Sequence, residues 1–413
     1  MSHAELRNLA LRDNCPPLRS GLKQGMEFSL HAYLKHLRES GSSDGFIDAV
    51  RRNAKPLADC GFPVILTIGH LAYTTGISHG ILLDIIKRQI DPYRVFAIRK
   101  RSGGKRFICV PESGLLGVQH WIHDHILCSP AALKNLSCHA TAYMPGSSHI
   151  VNAKRHVGAG WVLKLDITSF FESISERQVY HVFRGFGYRA LVAFYLTRLS
   201  TRVLPLPSDL RWRFRTKRWC SNNSWKFLNA CVVGHLPQGA PTSPMLANLV
   251  CLILDAELEK IAAREGLMYT RYADDMTFSG ELSGRTAAMK LVREISAVVG
   301  KHGFGINSQK TSIAKNGGRK IVTGLSVDGD VVRLPRAYKD EIRQELFYIE
   351  KYGLQDHCLR IGQKNHLSHL LRLGGRIRYA MSVEPVIGNR LMEKLLKISP
   401  YYEELEKTIL GNS

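Results

Sequence analysis

Residues 267–280, Leu-Met-Tyr-Thr-Arg-Tyr-Ala-Asp-Asp-Met-Thr-Phe-Ser-Gly, decide how the rest of the chain is read. Two β-prone runs flank Ala273-Asp274-Asp275, so the stretch reads as a hairpin carrying two carboxylates at its turn. Upstream, residues 242–265 set apolar side chains at 246, 249, 250, 253, 254, 258 and 261. That spacing predicts one long helix packed under a sheet, and it follows the glycine-containing run 234–241, Gly-His-Leu-Pro-Gln-Gly-Ala-Pro. Downstream, positions 288, 291, 292, 295 and 299 make 287–302 an amphipathic helix that stops near Gly303, and a strand is expected around 320–327. Further upstream, Val162 to Ile167 alternates, with Leu163, Leu165 and Ile167 on one face and Lys164 and Asp166 on the other. The order strand, helix, hairpin, helix, strand is the split β-α-β, ferredoxin-like arrangement.

In such a sheet the first strand and the central hairpin lie side by side, so Asp166 and the Asp274-Asp275 turn are expected to converge. Crowded carboxylates repel unless cations sit between them. Mg²⁺ prefers carboxylate oxygens and keeps positions open for water and phosphate. Two such ions can activate an attacking hydroxyl and stabilise a leaving pyrophosphate. Either acidic feature alone would ordinarily be a solvated turn residue or a helix cap. Their joint occurrence, in order and each led by an apolar strand, favours the metal.

The chain has 413 residues, with 57 Lys+Arg against 35 Asp+Glu, a net charge of +22. A surplus of that size costs self-repulsion, and a polyanion such as nucleic acid is the usual compensation. No basic amphipathic helix stands out for a membrane surface, and the most apolar run, Leu249 to Leu254, is far too short to span a bilayer. The nine cysteines form no Cys-x-x-Cys pair and no zinc-like spacing, which predicts reduced thiols. With no apolar signal core at the N-terminus, a cytoplasmic protein without membrane contact is expected.

Residues 1–90 read as mostly helical with breaks at Gly41, Gly45, Gly61 and Gly76. Residues 94–111 read as a hairpin turning at Ser102-Gly103-Gly104, and 112–135 as helical. Residues 205–230 look like an insertion in which Trp212, Trp219 and Trp225 stand among Arg and Lys. Such a segment could stack on and neutralise single-stranded RNA, form a surface loop, or dock a partner. From about 331 the chain reads as helical and basic.

With Val162 to Ile174, Leu236 to Leu249 and Tyr272-Ala273-Asp274-Asp275 in this order, the sequence resembles reverse transcriptases over roughly residues 94–340. Within them it is similar to the bacterial retron type. Asn152-Ala153-Lys154-Arg155-His156 matches the Asn-Ala-x-x-His element, and Val322-Thr323-Gly324 matches the Val-Thr-Gly element. The resemblance implies an α+β right-hand polymerase with fingers, ferredoxin-like palm and helical thumb. Residues 1–90 would be an N-terminal helical extension, 91–160 the first part of the fingers and 161–180 the first part of the palm. Residues 181–233 would complete the fingers, with the 205–230 insertion, 234–330 the palm, and 331–413 an RNA-binding thumb.

By the same resemblance, Asp166, Asp274 and Asp275 are the catalytic carboxylates. Together with the Ile167 backbone carbonyl they would hold two Mg²⁺ ions, for which Mn²⁺ could substitute. Phe171 would be the gate that excludes a 2′-hydroxyl, with Phe170 beside it in the nucleotide-binding set or packed in the core. Gln238 and Gly239 would line the nucleotide pocket, Lys105 and Arg106 would clamp the triphosphate, and Lys310 would sit near the incoming dNTP. Arg suits a triphosphate because its fork engages phosphate oxygens bidentately. Asn152, His156, Trp212, Trp219, Arg333 and Arg336 are candidate RNA contacts. One departure is His139-Ala140-Thr141-Ala142-Tyr143, standing where relatives carry a His-Gly-Phe-like string, so template contacts there stay open.

The implied function is copying part of a cognate structured non-coding RNA into DNA, primed from a 2′-hydroxyl, as in retron msDNA synthesis. Phage defence with a toxin or effector partner would follow. No RNase H carboxylate set, endonuclease or zinc module is visible, against a retroviral or complete group II intron enzyme. The alternatives are a group II intron-like or abortive-infection reverse transcriptase, or an RNA-binding scaffold of a toxin-restraining ribonucleoprotein.

Overall fold

The computed structural model describes residues 30–99, 103, 105–203 and 234–410. Its strands are β1 (Tyr93–Arg99), β2 (Lys105–Pro111), β3 (Trp161–Asp166), β4 (Met268–Tyr272), β5 (Asp275–Gly280), β6 (Ser312–Ala314), β7 (Ile321–Val322) and β8 (Leu325–Ser326). They form a hairpin β1-β2, a sheet in the order β4-β5-β3-β6 and a small hairpin β7-β8. The chain divides into two compact units, one of residues 1–144, 166–260 and 293–307 and the other of 145–165, 261–292 and 308–413. Among the described residues no helix is long and apolar enough to cross a membrane.

In the first unit, helices Leu30–Glu39, Asp44–Asp59, Ile68–Thr75 and His79–Ile86 precede the β1-β2 hairpin. Gly76 ends one of them in the left-handed conformation, whereas Gly45 lies inside the helix Asp44–Asp59 rather than breaking it. The hairpin pairs Arg99 with Lys105 and Ile98 with Arg106. Its root is fastened by Arg202, whose buried guanidinium is ion-paired with Asp91, donates to Cys109 Sγ at 3.1 Å and lies 5.0 Å from the Tyr93 ring centre. After Ser113–Trp121 the expected helix continues as a π-turn, Ile122–Leu127. The 205–230 insertion, with Trp212 and Trp219, lies outside the described residues.

The second unit carries the sheet, in which β5 lies between β4 and β3. Cross-strand stacking of Tyr269 on Phe278, with centroids 4.7 Å apart, fills the buried face of the β4-β5 hairpin. The expected strand over 320–327 is instead the β7-β8 hairpin, and the sheet's fourth strand is Ser312–Ala314. The cause is local: Thr323 and Gly324 both take positive φ, 46° and 85°, the requirement of a tight two-residue hairpin loop. The C-terminal helices Arg336–Tyr352, His366–Val383 and Pro385–Ile398 share a core of Ile342, Leu346, Leu370, Leu373, Ile377 and Leu395.

The single helix expected over 242–265 is two, Ser243–Val250 and Leu252–Arg264, separated by a turn at Cys251. Leu254, Leu258 and Ile261 face inward, while Ile253, assigned to the apolar face from spacing alone, is 64% exposed.

Candidate active site

The β4-β5 hairpin closes tightly. Tyr272 pairs with Asp275, leaving Ala273 and Asp274 as a two-residue loop. Ala273 has φ 57°, in the left-handed region that a side chain enters at a cost of about 1–3 kcal/mol. Below the turn Arg271, fully buried, donates from Nη1 to the Ala273 carbonyl at 3.2 Å. A buried guanidinium thus holds a strained backbone that presents Asp274 and Asp275 half-exposed. Arg271 escaped the sequence reading, although strand parity puts it with Tyr269 on the inward face, where a lone cation is unusual.

Asp166 ends β3 and is 5% exposed. Beyond it the chain runs beside 305–307: Thr168 N–H donates to the Gly305 carbonyl and Asn307 N–H to the Asp166 carbonyl, each at 2.8 Å. Ile167 faces Ile306 between those bonds, the non-hydrogen-bonded position of an antiparallel pair, where a residue's own N–H and C=O point to its other side. The Ile167 carbonyl is therefore directed away from 306. Ser169, at φ 50°, then bends the backbone into the short helix Phe170–Ser173.

Phe170 is buried at 4% exposure, 6.0 Å from the Phe304 ring. Its assignment to nucleotide contact is corrected to core packing, because a side chain so enclosed has no face left for a ligand. Phe171 is half-exposed, and its ring lies 6.3 Å from that of Tyr143. Tyr143 itself is 46% exposed and held at φ 62°. Tyr143 ends the 139–143 string, and its strained backbone beside the gate candidate is a feature that no periodicity in the sequence carries.

Gln238 and Gly239 are tied to the hairpin. The Gln238 carbonyl accepts from Cys109 N–H at 2.7 Å. Gly239, at φ 111°, lies so close to β2 that a Cβ would come within 2.8 Å of Ile108 Cγ2 and 3.1 Å of the Cys109 carbonyl oxygen. Lys105 and Arg106 are exposed at the start of the same strand. In the second unit Lys310 is exposed in the turn before β6. Arg333 is exposed and paired through its backbone with Ser326, and Arg336 is exposed at the start of a helix, 3.3 Å from Asp340.

Asn152 and His156 are corrected as RNA contacts. They are 0% and 1% exposed. The His156 ring meets Thr270 Oγ1 through Nε2 and Ser279 Oγ through Nδ1, both at 2.7 Å. Burial, with a smaller contribution from Arg155, holds its pKa down to about 4, so the ring is neutral.

The sequence matches the family described as "Reverse transcriptase (RNA-dependent DNA polymerase)" over residues 98–341, more than half of the chain. The chain belongs to this reverse transcriptase family. The Retron Mx65 reverse transcriptase of Myxococcus xanthus is 31% identical over 350 residues, covering 82% of this chain and 73% of that one. The Retron Ec86 reverse transcriptase of Escherichia coli is 28% identical over 352 residues, covering 85% and 95%. A solved telomerase from Candida albicans aligns at a TM-score of 0.37 and 11% identity, covering 78% of this chain and 67% of that one, a likeness that adds nothing to the assignment. This reverse transcriptase is of the retron type, an RNA-directed DNA polymerase with the right-hand α+β fold.

Reverse transcriptases generally use divalent metal ions. Among the described residues no three His, Cys, Asp or Glu side chains form a ready-made cation cage. The donors present are nonetheless hard carboxylate oxygens at the end of β3 and the start of β5, two hydrogen-bonded neighbours in the sheet. Such a set fits Mg²⁺, which binds through one or two carboxylates plus substrate phosphates rather than in an all-protein cage.

Proposed function

We propose that this reverse transcriptase copies part of a cognate structured non-coding RNA into DNA at a centre formed by Asp166, Asp274 and Asp275. The observation that carries the reading is the sheet order β4-β5-β3-β6. It makes the strand ending at Asp166 the neighbour of the strand beginning at Asp275. Two Mg²⁺ ions, when bound, would supply charge neutralisation for the triphosphate and an activated primer hydroxyl. The chain's own part is to aim oxygens: the carboxylates of Asp166, Asp274 and Asp275, and the Ile167 carbonyl turned away from 306.

Phe171 stands as the 2′-hydroxyl gate, backed by buried Phe170, while Gln238 and Gly239 line the nucleotide position. Arg106 and Lys105 neutralise the triphosphate from the hairpin, and Lys310 assists. Arg333 and Arg336, with the basic C-terminal helices, hold the RNA by phosphate contacts. Priming from a 2′-hydroxyl of that RNA, a part in phage defence and a toxin or effector partner complete the reading. They draw on the retron type of the chain and on its +22 charge.

The decisive experiment is Asp274→Ala in the full-length protein. DNA synthesis should be abolished while the co-purifying RNA is retained. Synthesis at the unaltered rate would remove the carboxylate assignment.

A further inference from the structure

Asn152 and His156 do not touch solvent, although Lys154 and Arg155 between them do, so the place of the two buried side chains in a polymerase needs another account. The helix His149–Lys154 is pinned at its start. Ser148 caps it, His149 Nε2 lies 2.9 Å from Tyr379 Oη, and Thr323 Oγ1 donates to the His149 carbonyl at 2.8 Å. Ala153 packs in a buried cluster with Val162, Val322, Leu325 and Ala380. One turn later the chain delivers His156 to the β4-β5 hairpin.

There the ring meets one hydroxyl from each strand. Thr270 faces Thr277 in the ladder and Met268 faces Ser279, so Thr270 and Ser279 are diagonal neighbours on one face of the hairpin. Strand parity puts Asp275, Thr277 and Ser279 on that face too. A neutral imidazole has one donor and one acceptor, and each hydroxyl can serve either role, so both contacts are satisfied at once. A fully satisfied buried polar network specifies one arrangement where apolar packing would tolerate several. A slip of one residue along the strand would carry every side chain to the opposite face.

We propose that His156 is a positioning residue for DNA synthesis, clamping β4 to β5 through Thr270 and Ser279 so that the hairpin presents Asp274 and Asp275 in the productive geometry. The proposal rests on the reading that those aspartates are catalytic. The clamp acts through the hairpin and not on the substrate, so its loss moves the rate constant rather than binding. Misplacement of reacting groups by about 1 Å costs up to about 100-fold.

The test uses full-length protein extending a DNA primer on an RNA template, with kcat, the KM for dNTP, RNA affinity and Tm measured for each variant. His156→Ala should lower kcat by about 10- to 100-fold per folded molecule, with KM and RNA affinity unchanged. His156→Gln, whose amide can donate and accept, should recover most of that loss. Thr270→Val and Ser279→Ala should each lower kcat, and neither should add fully to His156→Ala. Three outcomes overturn the clamp: unaltered kcat in the two hydroxyl variants, a His156→Ala defect confined to Tm, or one confined to RNA affinity. Asp274→Ala runs alongside. If it is inactive while the clamp variants are fully active, only the clamp is lost; if it is active, the assignment of the centre is lost with it.

Discussion

Phe171 and Gly239 are each held by a single local feature, a half-open ring in one and a close backbone approach in the other. Phe171 is half-exposed with Tyr143 at 6.3 Å, so its ring is free to meet a sugar edge while buried Phe170 holds the backbone behind it. Phe171→Ala should raise ribonucleotide use relative to deoxynucleotide use by at least about tenfold, since steric discrimination by one group is worth about 1–3 kcal/mol. An unchanged ratio in competition assays would remove the gate. Gly239 combines φ 111° with a backbone oxygen 3.1 Å from where a Cβ would sit. Gly239→Ala should cost about 1–3 kcal/mol in denaturant unfolding, because neither the torsion nor the Cys109 carbonyl can be relieved by a side-chain rotation. Arg271 belongs to this scale as well: it is a core cation whose partner is the carbonyl of the strained residue between two functional strands.

At the scale of elements, the C-terminal helices are packed closely enough to make one glycine decisive. In Pro385–Ile398, a Cβ on Gly388 would come within 2.3 Å of the Met381 nitrogen and 2.4 Å of its Cα, both backbone atoms of the preceding helix. Alanine would return about 1 kcal/mol of helix propensity. Overpacking against an immovable backbone costs about 1–3 kcal/mol or more. The clash wins. Gly388→Ala should lower Tm, and a neutral or raised Tm would show that the two helices can part without penalty. At Gly374 the obstruction is instead the buried Tyr402 side chain.

For the molecule as a whole, charge and buried histidines set the response to conditions. A net charge of +22 engaging RNA phosphates releases counterions, so log affinity should fall linearly with log salt, by about 0.7 per neutralised phosphate on single strands. A flat salt response in filter binding would sink the electrostatic account. His156 is held neutral at a pKa of about 4, and burial lowers His70, His149 and His369 in the same direction. The unfolded chain therefore takes up protons near pH 6.5 that the folded one refuses. Stability should be full above pH 6.5 and fall as pH drops toward 4, with His156 alone contributing roughly 3 kcal/mol of the loss. In His156→Gln, denaturant unfolding followed over that range should show a shallower fall.

The sequence by itself determined the hairpin and its two carboxylates, the strand ending at Asp166, the amphipathic helix before Gly303 and the basic charge. Each depends on short-range periodicity or on composition, and short-range patterns survive without knowledge of what packs against them. Only the tertiary structure decided that His156 and Asn152 are internal, that Phe171 is half-open, and that Arg271 supports the turn. It also replaced the strand expected over 320–327 with a tight hairpin. Burial and hydrogen bonding belong to residues brought together from distant parts of the chain: His156 meets Thr270 and Ser279 more than a hundred positions away. No local pattern in one sequence encodes such a meeting, because the period of a strand or helix says which way a side chain points and not what it will find there.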